Sequence, residues 1–155
     1  MRITIAAVGT RMPAWAEQAV QEYLARFPRD FEVLVKQVRP PPRRQQPLAH
    51  SLRDEEARLA AAVAGCDRMI ALDERGADWT TLQLAQQIGR WREASQHVSF
   101  LIGGADGLSE PLKSRAQLRL RLSSLTLPHA LARVMLVEQL YRAWSVLANH
   151  PYHRA

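Results

Sequence analysis

Two short segments in the last third of the chain have the residue types of a ligand site. The first, Ile102-Gly103-Gly104-Ala105-Asp106-Gly107, ends an apolar run. Its glycines permit a tight turn and close approach of backbone amides to a ligand, because no Cβ intervenes. The spacing is neither Gly-x-Gly-x-x-Gly nor a phosphate loop ending in Lys-Ser/Thr, so a phosphate cradle and a purely structural turn both fit it. The second segment, Leu122-Ser123-Ser124-Leu125-Thr126-Leu127, mixes apolar and hydroxyl side chains directly before Pro128. It suits apolar walls around a flat heterocycle whose edge is read by backbone groups, and equally a helix entry capped by Thr126. Beyond it stand His129, Arg142 and the terminal Tyr152-His153-Arg154. These supply imidazoles that titrate near neutrality, guanidiniums that fork onto phosphate, and a ring that stacks. Blander roles are open too: Glu138 and Arg142 are placed for a helical ion pair, and a short tail is often only frayed.

The elements that must position these residues follow from periodicity. Arg2 to Val8 reads as a strand that is apolar on both faces, as expected of a covered sheet. Pro13 suits a first helical position, and Trp15, Val20, Tyr23, Leu24 and Phe27 mark an amphipathic helix stopped by Pro28. Phe31 to Val38 is a second strand, and Arg39-Pro40-Pro41-Pro42-Arg43-Arg44 must be a loop, since proline offers no amide donor. A helix from about Pro47 to Ala64 leads to a strand at Arg68 to Leu72, and Asp73-Glu74-Arg75-Gly76 turns the chain. Thr80 or Thr81 caps a helix to about Glu93, and His97 to Ile102 is the fourth strand. A short helix near Pro111 to Ala116, a fifth strand at Leu118 to Leu122, and a long helix opened by Pro128 complete the chain. This alternation predicts one α/β domain over 1–155, with a mostly parallel sheet flanked by helices. Both candidate loops then follow strand ends, taken here as adjacent, where open α/β sheets bind ligands.

The 155 residues carry a formal charge of +6, with 19 Arg against 2 Lys. That balance suits a protein that meets nucleic-acid phosphate, although an arginine skew also reflects genome composition. Cys66, the only cysteine, excludes an intrachain disulfide and a thiolate cage, and is expected to be an inert thiol at a helix-to-strand turn. The five histidines lack metal-ligand spacing, so no metal is expected. Neither a signal peptide nor a membrane span is evident, so a cytoplasmic protein is expected. The dinucleotide fingerprint and its following acidic residue are missing, which disfavours a dehydrogenase.

Taken in order, these segments resemble the small bacterial SPOUT methyltransferases that methylate N3 of a pseudouridine in large-subunit ribosomal RNA. The resemblance extends to Ala7-Val8-Gly9-Thr10, Met12-Pro13, Tyr23-Leu24-Ala25-Arg26-Phe27-Pro28, Leu72-Asp73, Tyr141-Arg142-Ala143-Trp144 and Asn149-His150-Pro151-Tyr152-His153-Arg154. It implies a deep trefoil knot at the C-terminal end, which periodicity would not reveal, and S-adenosylmethionine as cofactor. Leu72, Gly103, Gly104 and Leu122 through Leu127 would hold that cofactor. Arg142, Tyr152, His153 and Arg154 would meet the RNA, with His129, Arg142 and His153 as catalytic candidates; Asp106 is left out of catalysis. The family's two-fold dimer implies that the site is completed across a homodimer, through a helix from about Leu131 to Ala148 whose stripe is Val137, Leu140, Tyr141, Trp144 and Leu147. With no separate RNA-binding domain, recognition falls to the dimer surface, with the assembled ribosome as the expected substrate. Transfer to an imide nitrogen needs a base or a cation that stabilises the anion, and no covalent nucleophile. The rival readings are a SPOUT enzyme acting on another RNA nucleotide and a non-catalytic basic ribosome-assembly or RNA-binding protein.

Overall fold

The computed structural model describes residues 1–9, 11–42 and 47–154. Five strands alternate with helices: β1 (Arg2–Val8), α1 (Ala14–Leu24), β2 (Glu32–Val38), α2 (Leu48–Ala62), β3 (Arg68–Asp78), α3 (Thr81–Glu93), β4 (His97–Ile102), α4 (Glu110–Arg115), β5 (Leu118–Arg121) and α5 (His129–Leu147). The tail, Pro151–His153, forms one 3₁₀ turn. All strand pairs are parallel, in the order β2-β1-β4-β3-β5.

Each face of the sheet buries its own core. Ile3, Ile5 and Ala7 of β1 join Val20 of α1, Ile88 and Trp91 of α3, and Leu136 and Leu140 of α5. Ala6 and Val8 point the other way, against Leu59 of α2 and Leu112 of α4. Period-two alternation delivers consecutive β1 residues to opposite layers, and so both sets are apolar. Local signals fix the helix starts. Thr80 and Gln83 form a reciprocal capping box on α3, with Gln83 N donating to Thr80 Oγ1 at 3.1 Å and Thr80 N to Gln83 Oε1 at 2.8 Å; such a cap contributes about 1 kcal/mol.

Four expectations need correction. The β4 and β5 ends are not neighbours, because β3 lies between them. Asp73 to Gly76 does not end the third strand: both Leu72 and Ala77 pair with Leu120, so these four residues bulge out of a strand that continues to Asp78. Asp73 ties the bulge to α4 and β5 through Lys113 Nζ at 3.6 Å and Arg119 Nη1 at 4.0 Å. The first helix stops at Leu24, three residues before Phe27, and β5 ends at Arg121, leaving Leu122 to the loop.

The α5 stripe is also used differently. Val137, Leu140 and Tyr141 are buried in the chain's own core, because α1 and α3 both pack on α5. The large apolar side chains left outside include Trp15 and Leu131. Cys66 sits half-buried in the α2–β3 turn, against the second core. Arg43 and Arg44 of the proline loop, and Thr10, lie outside the described residues. Among the described residues no helix is long and apolar enough to cross a membrane, and no three His, Cys, Asp or Glu side chains group as a metal site.

Candidate active site

The bulge within β3 and the loops after β4 and β5 enclose a cleft of about 380 Å³. Leu72, Gly103, Gly104, Leu122, Ser123, Leu125, Thr126, Leu127 and His129 all line it. Ser124 is exposed and outside the lining. Asp73, Glu74, Arg121 and Ala132, none of them assigned to the cofactor from the sequence, also line this space. The first two come from the unforeseen bulge, and Arg121 from the last position of β5.

The glycine turn is closed by its own backbone. A Cβ on Gly103 would lie 2.5 Å from the Gly107 carbonyl carbon and 2.7 Å from Leu108 N. Gly107 has φ +74° and donates its N–H to Gly104 O at 3.1 Å. Gly103 thus lines the cleft with its backbone, while its missing side chain leaves room for the turn. In the second loop Ser123 Oγ accepts from Leu125 N at 2.9 Å, and α5 begins after Pro128 with no side-chain cap, so Thr126 is not a capping residue.

His129 ties the glycine turn to α5. Its Nδ1 lies 3.1 Å from Gly103 O and its Nε2 2.8 Å from Arg133 Nη2. Guanidinium nitrogens only donate and a carbonyl oxygen only accepts, so the ring is the neutral Nδ1–H tautomer, with its one lone pair turned to Arg133. Burial, then the adjacent Arg133 charge, push the His129 pKa down. Arg133 itself is completely buried. The sequence reading missed it, although its place four residues after His129 puts the two on one helix face.

His97, 2.9 Å from Thr4 Oγ1, is also held below the ordinary imidazole value of 6.5, first by burial. Below pH 6.5 the unfolded chain takes up protons that folded His97 and His129 refuse, so stability is full above that value and falls as pH drops beneath it. Urea midpoints should decline from about pH 7.5 to about pH 5.5. The decline should be shallower in His129→Gln and His97→Gln; equal slopes in all three proteins would contradict the assignment.

The other candidates gather elsewhere. Arg142 Nε and Nη2 donate to Glu138 Oε1 at 2.9 and 2.6 Å, as the i,i+4 spacing allows, and the guanidinium lies 4.9 Å from the Tyr152 ring centre. Tyr152 donates to the same carboxylate at 3.0 Å and lies 2.9 Å from the Tyr23 hydroxyl. Its ring sits 4.7 Å from that of Tyr141, so the tail is docked rather than frayed. Burial, and then the hydrogen bonds to Tyr23 and Glu138, raise the Tyr152 pKa well above the ordinary phenol value. Within the described residues the buried His153 Nδ1 has no hydrogen-bond partner, and Arg154 is exposed. At 1.5 Å per residue, the ten helical positions from Ala132, which lines the cleft, to Arg142 span roughly 15 Å, so Arg142 stands away from the chain's own cleft.

A parallel α/β sheet with an apolar, glycine-edged cleft at its strand ends defines a small-cofactor enzyme site. The chain belongs to the SPOUT methyltransferase family: the family described as "Predicted SPOUT methyltransferase" matches residues 1–153. It is therefore a methyltransferase that uses S-adenosylmethionine. Proteins named "Ribosomal RNA large subunit methyltransferase H" from Burkholderia mallei (strain SAVP1) and Burkholderia pseudomallei (strain K96243) are 51% identical to it over 156 residues, covering 100% of both chains. Among solved structures, a methylase family protein from Haemophilus influenzae Rd KW20 shares the fold with a TM-score of 0.61 at 14% identity, over 97% of this chain and 69% of that one. A Legionella pneumophila protein solved with bound SAM has a TM-score of 0.51 at 11% identity, over 93% of this chain and 66% of its own.

Proposed function

We propose that this chain transfers the methyl group of S-adenosylmethionine to N3 of a pseudouridine in large-subunit ribosomal RNA, in the cytoplasm, as a homodimer acting on the assembled ribosome. The observation that carries the reading is that Leu72, Gly103, Gly104 and the leucine–serine loop, far apart in sequence, line one cleft. The residues fit the cofactor: Leu72, Leu122, Leu125 and Leu127 offer apolar walls for an adenine, while the turn at Gly103 and Gly104 offers backbone groups without side-chain obstruction. When bound, the cofactor supplies an activated methyl on a sulfonium. The names of the full-length relatives support ribosomal RNA as substrate, and a charge of +6, doubled in a dimer, supports phosphate binding.

Arg142, Tyr152, His153 and Arg154 then act on RNA at the cleft of the partner, a reading supported by the roughly 15 Å of helix between Arg142 and its own cleft. Exposed Trp15, Leu131 and Leu147 supply apolar surface for that pairing, Leu147 being the exposed end of the stripe. The reading carries the family's deep trefoil knot with it, at the end of the sheet where β3 lies between β4 and β5.

Mass spectrometry of ribosomal RNA nucleosides from cells with and without the protein tests the substrate: the N3-methylated pseudouridine should vanish with the gene. Its persistence would overturn the reading. For the cofactor cleft, Ala132→Phe places a ring in the lining from α5. Calorimetry should then show at least a tenfold loss of S-adenosylmethionine affinity in a folded protein. Unchanged affinity would remove the cleft from consideration.

A further inference from the structure

A second cleft, about 490 Å³, lies on the other side of the Gly104 turn. Its rim includes Gly9, Pro40, Pro41, Leu48, Ser51 and Glu55. Gly104, Ala105 and His129 line both clefts, so the two adjoin along a shared rim.

Its position follows from the topology. The connection from β1 leaves through α1 toward β2, across the sheet face that α3 and α5 also cover. The connection from β4 leaves through α4 toward β5, across the opposite face. β1 and β4 are neighbours, so their carboxyl ends form a topological switch point, where open α/β sheets leave a crevice for ligands. Val8-Gly9 and Gly104 to Asp106 stand at that point.

The chemistry of the lining is that of a planar, hydrogen-bonding ring. Pro40, Pro41 and Leu48 offer flat apolar walls, and among the described residues the charged or titratable groups of the cleft are Arg11, Glu55, Asp106 and His129. Glu55 lies against this rim. A Cβ on Gly104 would be 3.2 Å from Glu55 Oε1 and 3.6 Å from Oε2, so the carboxylate packs directly over the Gly104 Cα. His129, also on the rim, has its lone pair turned to Arg133.

Resting on the function proposed above, we infer that this second cleft receives the acceptor base, a uracil-type ring turned out of its stack, and that the Glu55 carboxylate takes the proton from its imide nitrogen. An enzyme that modifies a base takes it out of the stack into a pocket of this kind. The imide N–H faces the shared rim, across which the two clefts meet. Its nitrogen forms a bond to the methyl carbon, the methyl–sulfur pair stays with the departing thioether, and the imide proton goes to a Glu55 oxygen.

The test pairs Ser51→Trp, which fills the cleft from the first turns of α2, with Glu55→Gln, which keeps the shape and removes the base. Both should retain wild-type affinity for S-adenosylmethionine by calorimetry. Saturation-transfer NMR with pseudouridine 5′-monophosphate and S-adenosylhomocysteine should give ring signals with wild type and Glu55→Gln, and none with Ser51→Trp. Glu55→Gln should slow methylation of ribosomes by about 10²-fold or more. Its deficit should shrink as pH rises and the imide ionises unaided, whereas a structural lesion would reduce the rate equally at every pH. Nucleotide signals that survive Ser51→Trp, or a Glu55→Gln rate within a few-fold of wild type, would overturn the proposal. Loss of cofactor affinity in Ser51→Trp would also overturn it, assigning the space to the methionyl arm of the cofactor. Nucleotide binding is read without turnover, so a protein that holds the nucleotide here yet methylates no RNA would sink the function proposed above and leave the cleft standing.

Discussion

Gly103→Val should cost stability and cofactor binding together. The first atom of any side chain at this position would overlap Gly107 and Leu108 backbone, at 2.5 to 2.7 Å, and backbone cannot rotate aside as a side-chain tip can. Overpacking of this kind costs roughly 1–3 kcal/mol. The turn it displaces is also the one that His129 holds through Gly103 O, so the cleft should open at that edge. A lower urea midpoint and at least a tenfold weaker S-adenosylmethionine titration are expected. Gly107→Ala is the useful contrast: that position has φ +74° but nothing within 4 Å of a Cβ, so only left-handed strain of about 1–2 kcal/mol is added. A Gly103→Val protein as stable and as tightly binding as wild type would show that the turn does not shape the cleft.

The second large effect concerns the tail. Replacing both His153 and Arg154 by alanine should reduce methylation of ribosomes by one to two orders of magnitude, about 2–3 kcal/mol of transition-state stabilisation, and leave cofactor affinity unchanged. The two residues lie at the far end of α5 from the cofactor cleft, and they leave in place the Tyr152 contacts that dock the tail. A double variant that methylates normally, or one that fails to bind cofactor, would deny the tail its role toward RNA.

Much of this was legible because strands and helices leave different periods. The run Arg2 to Val8 announced a strand buried on both faces, and it is one. Composition marked the two loops but left a structural turn and a helix entry open; the resemblance assigned them to the cofactor, and all but Ser124 of the assigned residues line the cleft. What periodicity does not encode is which strand lies beside which. The insertion of β3 between β4 and β5 depends on the path of the crossovers, and the bulge at Asp73 to Gly76 depends on the ion pairs that hold it, so its three charged residues and glycine read as a turn. The α5 stripe carries the same ambiguity: an apolar face says that it is covered, and α1 and α3 cover Val137, Leu140 and Tyr141 while Leu147 stays exposed. Arg133 and Glu55 were invisible as site residues because a charged side chain in a helix reads as solvated surface until its neighbours are known.

The pairing of β1 with β4 bears on how the chain first comes to be folded. Arg2 sits in register with His97, roughly 95 residues later, and Ala7 with Ile102. During synthesis the first strand therefore leaves the exit tunnel long before its inner neighbour exists, with one apolar edge able to pair only with β2. Topologies dominated by such distant pairings fold slowly and leave strand edges exposed meanwhile. A nascent chain ending before His97 would lack the centre of its sheet, and is the species for which a holding chaperone would matter.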